Sequence, residues 1–269
     1  MYLLREMLKH MRIYGLFVKN CLIAQMEYRM NFVISIAQEC VFTFAKLLYV
    51  ILIYQVGVDI NGLSPDHVLL FIGTYMIMTG FYVLFFMDNF YQLSQHIQSG
   101  LLDVMMTKPV SLQFMVTLRR INFSFPIPNF IVGTSMVVMA WRRLGLESGP
   151  QEIGLFLLLI VCGIVLMYAL FLLPMLLSFY IIKTQSLIEI TDKFWDFNNM
   201  PMGIYSRWIQ RIGTFLLPIF VITNFPVLAM MDELDTLASI WVFAVPIVML
   251  LVTRKVWRFC LSKYSSASS

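Results

Sequence analysis

Three polar side chains interrupt a long apolar stretch near the amino-terminal end and are the first candidates for chemistry: Gln38, Glu39 and Lys46. A charge at the centre of a membrane-spanning helix costs about 2.5–3.5 kcal/mol on insertion scales, so such a residue often serves a function. On a helix, Glu39 and Lys46 share nearly one face but lie about 10 Å apart along the axis, too far for a direct ion pair. The pattern predicts either a polar lining of a translocation path or a structural role. In the structural role, Glu39 finds a polar partner inside the bundle, and Lys46 reaches the interface or an acid on a neighbouring helix.

The other reactive side chains are too scattered to form a catalytic or metal site. The histidines lie in separate segments and the cysteines occur singly, at His10, His67, His96, Cys21, Cys40, Cys162 and Cys260. Metal sites and nucleophilic centres need such groups in clusters. The sequence also lacks a Gly-x-x-x-x-Gly-Lys-Ser/Thr loop, which would hold nucleotide phosphates. We therefore predict no catalytic, cofactor-binding or metal-binding residues, and no ATP hydrolysis by this chain.

The amino-acid composition predicts the class of protein in which these residues lie. Of the 269 residues, 60% are apolar and only 13% are charged, against about 25% charged in a typical soluble domain. The mean hydropathy is +0.81, which excludes a water-soluble globule and a disordered chain. The net charge of +4 suits basic residues at anionic lipid headgroups better than a nucleic-acid partner. The sequence predicts an integral membrane protein embedded in a lipid bilayer.

Six apolar segments are long enough to cross a bilayer as helices, which need about 20 residues each. The predicted spans are residues 32–54, 68–87, 121–141, 153–182, 212–231 and 237–253. Uncharged runs of this length lack the alternation of a membrane β-barrel, so the predicted class is all-α. We treat residues 1–269 as one transmembrane domain.

The distribution of lysine and arginine predicts the orientation. These residues concentrate in the first 30 positions, in residues 89–120 and 183–211, and after residue 253, whereas the intervening loops are mainly acidic. Cytoplasmic loops carry the excess of basic residues. Both termini are therefore expected in the cytoplasm.

The amino-terminal segment, residues 1–30, has a helical apolar stripe with basic residues beside it. The stripe residues recur every three or four positions, at Leu4, Met7, Met11, Tyr14, Val18 and Cys21. This spacing predicts an interfacial helix that lies along the inner leaflet. A helix packed on the soluble surface of a partner is the alternative. The segment does not resemble a cleaved signal peptide, because it has no compact apolar core that ends in a cleavage site.

Residues 89–105 form the most informative loop. One predicted helical face carries Phe90, Leu93, Ile97, Leu101 and Val104, which indicates a short amphipathic helix at a membrane exit. Gly100 disfavours a helix interior and predicts a bend there or a close approach by another backbone, and Pro109 disfavours helix at Lys108.

Three short motifs resemble a known family. The run Ser99–Asp103 (Ser-Gly-Leu-Leu-Asp), followed by Lys108 and Pro109, is similar to a Gly-Leu-Leu-Asp and Arg/Lys-Pro pattern in membrane subunits of type-2 ABC exporters, particularly the daunorubicin-resistance-like permeases. The run 200–206 (Met-Pro-Met-Gly-Ile-Tyr-Ser) and its downstream prolines resemble a Tyr-Pro-x-x-Ile-Tyr motif, with Met200 in place of tyrosine. The ending Lys-Tyr-Ser-Ser is also similar.

The resemblance implies a permease subunit with six transmembrane helices that forms half of a translocation pathway. It implies docking through a cytoplasmic coupling helix, residues 89–105, on a separate P-loop ATPase, expected in two copies, that binds ATP and Mg. The coupling residues would be Gln92, His96, Gly100, Leu101, Asp103, Lys108 and Pro109. A second permease subunit, identical or related, and a bacterial inner-membrane location are also implied.

Two alternatives accompany this interpretation. An ion-coupled secondary transporter would need no ATPase, but it favours internal repeats and ionisable groups at the midplane, and only Glu39 and Lys46 offer those. The general plan of type-2 exporters also allows residues 184–200 to be the fifth span. Residues 212–231 would then form a re-entrant hairpin, an arrangement that Pro218, Asn224 and Pro226 favour.

Overall fold

A computed structural model describes residues 2–57, 63–181 and 185–264, with the side chains of residues 2–5 left out. Within these ranges the chain is helical and contains no strand. Several of these helices are long and apolar enough to cross a membrane. The predicted class, an all-α integral membrane protein, is therefore confirmed.

The helices follow the sequence in this order: α1 Tyr2–Glu27, α2 Arg29–Val56, α3 Pro65–Tyr82, α4 Asp88–Gln98, α5 Leu101–Met106, α6 Leu112–Leu118, α7 Pro126–Arg143, α8 Pro150–Met175, α9 Gln185–Asp196, α10 Arg207–Arg211, α11 Ile219–Met230 and α12 Thr236–Lys263. Wider π-helical turns occupy Val83–Met87 and Ile212–Leu216. Tighter 3-10 turns occupy Leu176–Phe179, Phe197–Asn199 and Met202–Ile204.

Four continuous helices in the described ranges are long and apolar enough to cross a membrane: Arg29–Val56, Pro65–Gln98, Pro150–Phe179 and Thr236–Lys263. A fifth candidate consists of Arg207–Leu216 and Ile219–Met230, two pieces that meet at 102°. Helix α7, over the third predicted span, is not among them. The predicted count of six spans is therefore not confirmed. Residue 182, the predicted end of the fourth span, lies outside the described residues.

The predicted span over residues 212–231 is not one continuous helix, because the chain bends in its middle. Pro218 has no backbone N–H and its ring excludes the preceding residue from helical geometry. Accordingly, Leu217 has φ −118° and ψ 82°, and α11 begins only after the proline.

Helix α7 and its neighbour α3 are held together by small residues. A Cβ on Gly73 would lie 2.9 Å from the carbonyl oxygen of Gly133, and a Cβ on Gly133 would lie 2.9 Å from that of Gly73. Only hydrogen fits at either position, so the two backbones pack directly. The helix begins at Pro126, five residues after the first residue of the predicted span, because proline is well suited to a first helical turn.

Polar contacts show which helix ends lie together. The hydroxyl of Tyr54 at the end of α2 donates to Asp66 at the start of α3. Arg143 at the end of α7 forms an ion pair with the same carboxylate at 3.7 Å. We call this the second end of the bundle. At the opposite, first end, the backbone N–H of Asn122 before α7 donates to the carbonyl of Leu84 at 3.1 Å.

Helices α8 and α12 run parallel. Thr253 donates to the carbonyl of Ala169 at 2.9 Å, and further along both helices Trp257 packs edge-on against Phe179. Because both helices run in the same direction, the chain between them must return from the end of α8 to the start of α12.

Helix α9 makes the first part of that return. Its Asp192 accepts a hydrogen bond from Tyr91 of α4, and Trp195 stacks on Tyr82 and Tyr75 of α3 with ring centroids 5.0 and 5.8 Å apart. The helix thus enters the bundle from the first end. The alternative in which residues 184–200 cross stays a prediction, and residue 184 lies outside the described residues.

A buried amide network joins the next part of the return to α11. The side-chain oxygen of Asn224 accepts from the backbone N–H of Met202 at 2.7 Å, and Thr223 donates to Asn198 at 2.9 Å. Near the start of α12, Trp241 donates to the carbonyl of Thr214 at 2.8 Å. The bent pair is therefore fixed beside the second end.

Candidate functional site

Helix α4, which contains the first predicted coupling residues, continues α3 through the π-helical turn. The combined helix Pro65–Gln98 has 34 residues and a length of about 51 Å, well beyond the roughly 30 Å of a hydrocarbon core. Within this wider turn, the carbonyl of Leu84 accepts from the backbone N–H of Asn122. The combined helix is thus longer than one crossing of the hydrocarbon core requires.

The buried face of α4 holds it firmly in the bundle. Phe90 and Leu93 are fully buried, and Ile97 is nearly so. The Phe90 ring stacks on Phe86 and lies 5.9 Å from Tyr168 of α8. Displacement of α4 would therefore act on α3 through the backbone and on α8 through these rings.

The predicted single helix over 89–105 is instead two helices, because α4 ends at Gln98 and α5 begins at Leu101. Gly100 lies between them with φ +71°, a left-handed conformation that favours glycine. The turn redirects the chain, so Leu101 and Val104 do not continue the buried face and are 40% and 54% exposed. The predicted bend at Gly100 is confirmed, and the predicted shared face is wrong beyond it.

The predicted coupling residues fall into two groups. Gln92, His96 and Leu101 line one surface pocket of about 560 Å³, together with Gln95, Gln98, Ser99 and Arg120. Lys108 and Pro109 are exposed beyond α5, and Asp103 lies in its first turn, where its backbone N–H donates to the carbonyl of Gly100 at 3.1 Å. His96 is buried at the pocket, and its Nδ1 has no hydrogen-bond partner among the described residues.

An asparagine that sequence reasoning did not single out holds the connection between α6 and α7. The side chain of Asn89 donates to the carbonyl of Arg120 at 2.7 Å and accepts from the N–H of Arg120 at 2.8 Å. The Asn89 amide thereby bonds both the N–H and the carbonyl of one residue that lies outside a helix, as the backbone of a neighbouring β-strand would. The Asn89 side chain is buried, and these bonds satisfy its amide group and the backbone of Arg120 together.

A glutamine on α1 holds the same connection from the other side. Gln25 donates to the carbonyl of Ile121 at 2.6 Å and accepts from the N–H of Phe123 at 3.0 Å. We call Gln25 and Asn89 the amide clamp, and residues 119–125 the clamped segment. Amides on an apolar helix face are the signal that could have identified both residues.

Helix α1 packs on α6 through aromatic rings. His10 meets Phe114 edge-on at 5.0 Å, and Phe17 stacks on the same ring at 5.8 Å. Burial on this face raises the pKa of the Tyr14 phenol. The helix is therefore anchored within its own chain.

This anchoring divides the predicted apolar stripe of α1. Tyr14, Val18 and Cys21 are half-buried, whereas Met7 and Met11 are 63% and 68% exposed. Part of the stripe therefore contacts α6 of the same chain, and the position of α1 along the inner leaflet stays a prediction. The side chain of Leu4 lies outside the described residues.

Glu39 and Lys46 both have partners inside the bundle. Glu39 is buried and accepts a hydrogen bond from Asn129 of α7 at 2.6 Å. The Lys46 ammonium lies 5.0 Å from the ring centroid of Tyr75, a cation–π contact that compensates partial desolvation. Gln38 is exposed on α2. The structure does not bring these residues to the coupling region.

No group of three or more histidine, cysteine or acidic residues within the described ranges is arranged to hold a metal ion. Comparison with curated proteins and with solved structures gives no match. A family model does match, and it covers residues 40–268, described as ABC-2 family transporter protein. Because that match extends over most of the sequence, from the middle of α2 past the end of α12, the chain belongs to the ABC-2 family of transporter proteins, the permeases of type-2 ABC transporters.

Proposed function

We propose that this permease works as an exporter driven by a separate P-loop ATPase, expected in two copies, which binds ATP and Mg. A second permease subunit, identical or related, would complete the translocation pathway. Family membership supports the association with an ATPase and the membrane. The absence of a phosphate-binding loop from the 269-residue sequence supports a separate motor.

The exposed apolar side of α5 is the observation that carries this proposal. Leu101, Val104 and Met106 are exposed on a short helix beyond the end of α4, and Lys108 and Pro109 follow. An apolar patch with a polar rim is typical of a protein interface. We propose that the ATPase binds this patch and reaches into the neighbouring pocket that contains His96.

The rigid attachment of α4 supports a mechanical role. Movement of α5 by the ATPase would act on α3 through a continuous helix and on α8 through the contact between Phe90 and Tyr168. Two global states, inward-open and outward-open, would then be favoured in turn by nucleotide binding and release.

Paired substitutions on α5 test this function. We expect the double variant Leu101→Asp, Val104→Asp to lose most ATPase co-purification and ATP-dependent transport, because it places charge in an apolar interface. The matched control, Leu101→Met with Val104→Ile, keeps the surface apolar and should retain both. Wild-type ATPase binding by the aspartate variant would contradict the proposal, as would transport by the permease alone in purified vesicles.

We further propose a bacterial inner-membrane location with both termini in the cytoplasm, which the distribution of basic residues supports. In a cysteine-free variant, a cysteine at Gln98 should then react with impermeant maleimide only from inside, and one at Ser148 only from outside. A cysteine near Arg207 should react from outside if residues 207–230 form a re-entrant pair. Labelling of Ser148→Cys from inside would contradict the orientation.

A further inference from the structure

A polar cleft of about 570 Å³ opens between α1, the start of α2 and the clamped segment. Most of the residues that line it are polar, including Asn20, Asn31, Ser35, Asp88, Arg119 and Arg120. We infer that this cleft binds the headgroup of an anionic phospholipid, with its phosphate between Arg119 and Arg120. The inference is independent of the proposed export function.

Both arginines are available to an anion. The only two ion pairs among the described residues are Arg143 with Asp66 and Lys193 with Asp196, so neither clamped arginine has a carboxylate within 4.0 Å. Their side chains are exposed. A guanidinium group offers a planar fork of donors that matches phosphate oxygens.

The amide clamp fixes the backbone that carries the two arginines of this site. Asn89 fixes both peptide groups of Arg120, and Cys21 donates to the carbonyl of Arg119 at 3.5 Å. The adjacent carbonyl of Ile121 is bonded to Gln25. Because the backbone is already ordered, binding does not have to order it, which favours affinity.

The depth of the cleft is that of lipid headgroups. Asn31 and Ser35 lie in the first two turns of α2, a helix long enough to span the membrane. Asp88 lies 23 residues beyond Pro65, the first residue of the long candidate span, which corresponds to about 35 Å of helix. Both helices therefore meet the cleft where a hydrocarbon core of about 30 Å ends.

The lining also fits the two halves of a lipid. Phe17 and Phe32 form an apolar wall beside the polar groups, so acyl chains can leave the cleft against aromatic surface. A water-soluble phosphate would gain nothing from this wall. The combination favours a lipid headgroup over a free anion.

Asp88 adds a preference among lipids. Its carboxylate accepts a hydrogen bond from Asn122 at 3.3 Å inside the cleft. A carboxylate repels a bare phosphate monoester and accepts hydrogen bonds from hydroxyl groups. It therefore selects a headgroup that carries a hydroxyl donor beyond its phosphate, such as the glycerol of phosphatidylglycerol.

Native mass spectrometry of the full chain tests the site. The protein is released from micelles that contain equal amounts of phosphatidylglycerol and phosphatidylcholine with the same acyl chains. Wild-type protein should retain one phosphatidylglycerol in preference to phosphatidylcholine. The double variant Arg119→Gln, Arg120→Gln should bind it at least about tenfold more weakly, whereas Arg142→Gln, an exposed arginine at the other end of α7, should not change binding.

Two further measurements separate the sources of phosphate. Inorganic phosphate at millimolar concentration should leave the bound lipid in place, and Asp88→Asn should increase binding of phosphatidic acid relative to phosphatidylglycerol. Arg120→Lys keeps the charge and should retain most of the preference, and equal thermal unfolding of all variants excludes misfolding. Equal lipid retention by the double variant and Arg142→Gln would overturn the inference, as would displacement by inorganic phosphate.

Discussion

The α3–α7 pair and the α4–α5 connection lie along neighbouring stretches of chain but are built in opposite ways. Between α3 and α7, Gly73 and Gly133 bring two backbones together with no space left between them. At the turn from α4 to α5, Gly100 has open space around its Cα and serves backbone conformation alone. A Cβ at this position would meet only an Asp103 oxygen, at 3.8 Å. The contact between Gly73 and Gly133 packs two helices of the bundle together, whereas the turn at Gly100 leaves the short helix α5 exposed.

This difference teaches that the same residue type has two separable roles here. A substitution at the packed site should damage folding, whereas one at the turn should damage communication with a partner. Four substitutions test that separation, in order of decreasing effect on the free energy of unfolding.

The largest effect is expected from Gly133→Leu. Its Cβ would lie 2.9 Å from the Gly73 carbonyl and 3.1 Å from the Ile77 nitrogen, and backbone atoms cannot move aside as side chains can. We expect a loss of about 3 kcal/mol or more. Thermal unfolding in detergent, followed by tryptophan fluorescence, measures it. Gly154→Leu on the exposed side of α8, where nothing lies within 4 Å, should be nearly neutral; equal effects of the two changes would refute direct backbone packing.

The second effect is expected from Asn89→Ala. The change removes a buried amide that bonds both the carbonyl and the N–H of Arg120, and each hydrogen-bonding group that loses its partner away from bulk water costs about 1–3 kcal/mol. We expect a loss of about 2–4 kcal/mol and faster hydrogen exchange in the clamped segment. Gln95→Ala, an exposed amide on the same helix, serves as the control. Unchanged exchange at Arg120 would contradict the amide clamp.

The clamp also shows what could be predicted from the sequence. Long apolar runs indicated α2, α8 and α12 clearly, because the bilayer requires about 20 apolar residues and continuous hydrogen bonding within a span. The bend at Gly100 was predictable from residue type alone. By contrast, Gln25 bonds Ile121 across 96 residues, and Asn129 bonds Glu39 across 90. Such long-range bonds leave no periodic pattern in a sequence.

The broken helix pair was harder for a different reason. Residues 212–231 are apolar enough for a span, and hydropathy does not register that Pro218 interrupts the helix. The turn at Leu217 depends on backbone geometry, and its stability depends on Asn224 and Trp241, which bond distant peptide groups. Predicting the element therefore required both the proline and its tertiary partners.

A smaller effect is expected from Gln25→Ala. Gln25 is only half-buried, so water can replace part of its bonding to Ile121 and Phe123, and we expect a loss of about 1–2 kcal/mol. The variant should detach α1 from the clamped segment while the bundle stays folded. Limited proteolysis within α1 measures this detachment, with Lys19→Ala as an exposed control on the same helix. Similar protease resistance of Gln25→Ala and wild type would show that the aromatic contacts of Phe114 are sufficient to hold α1 in place without Gln25.

The smallest effect on stability, and the sharpest separation of roles, is expected from Gly100→Ala. At φ +71° an alanine is strained by about 1 kcal/mol, and no neighbouring atom obstructs the added methyl group. Gly57→Ala is the matched control, because Gly57 has φ +63° with open space around it but lies at the end of α2, remote from α5. The two variants should unfold at nearly the same temperature. Only Gly100→Ala should lower ATP-dependent transport and alter ATPase stimulation, since it changes the direction in which α5 leaves α4. If both variants reduced transport equally, the loss would follow from general destabilisation, and the turn would have no special part in coupling.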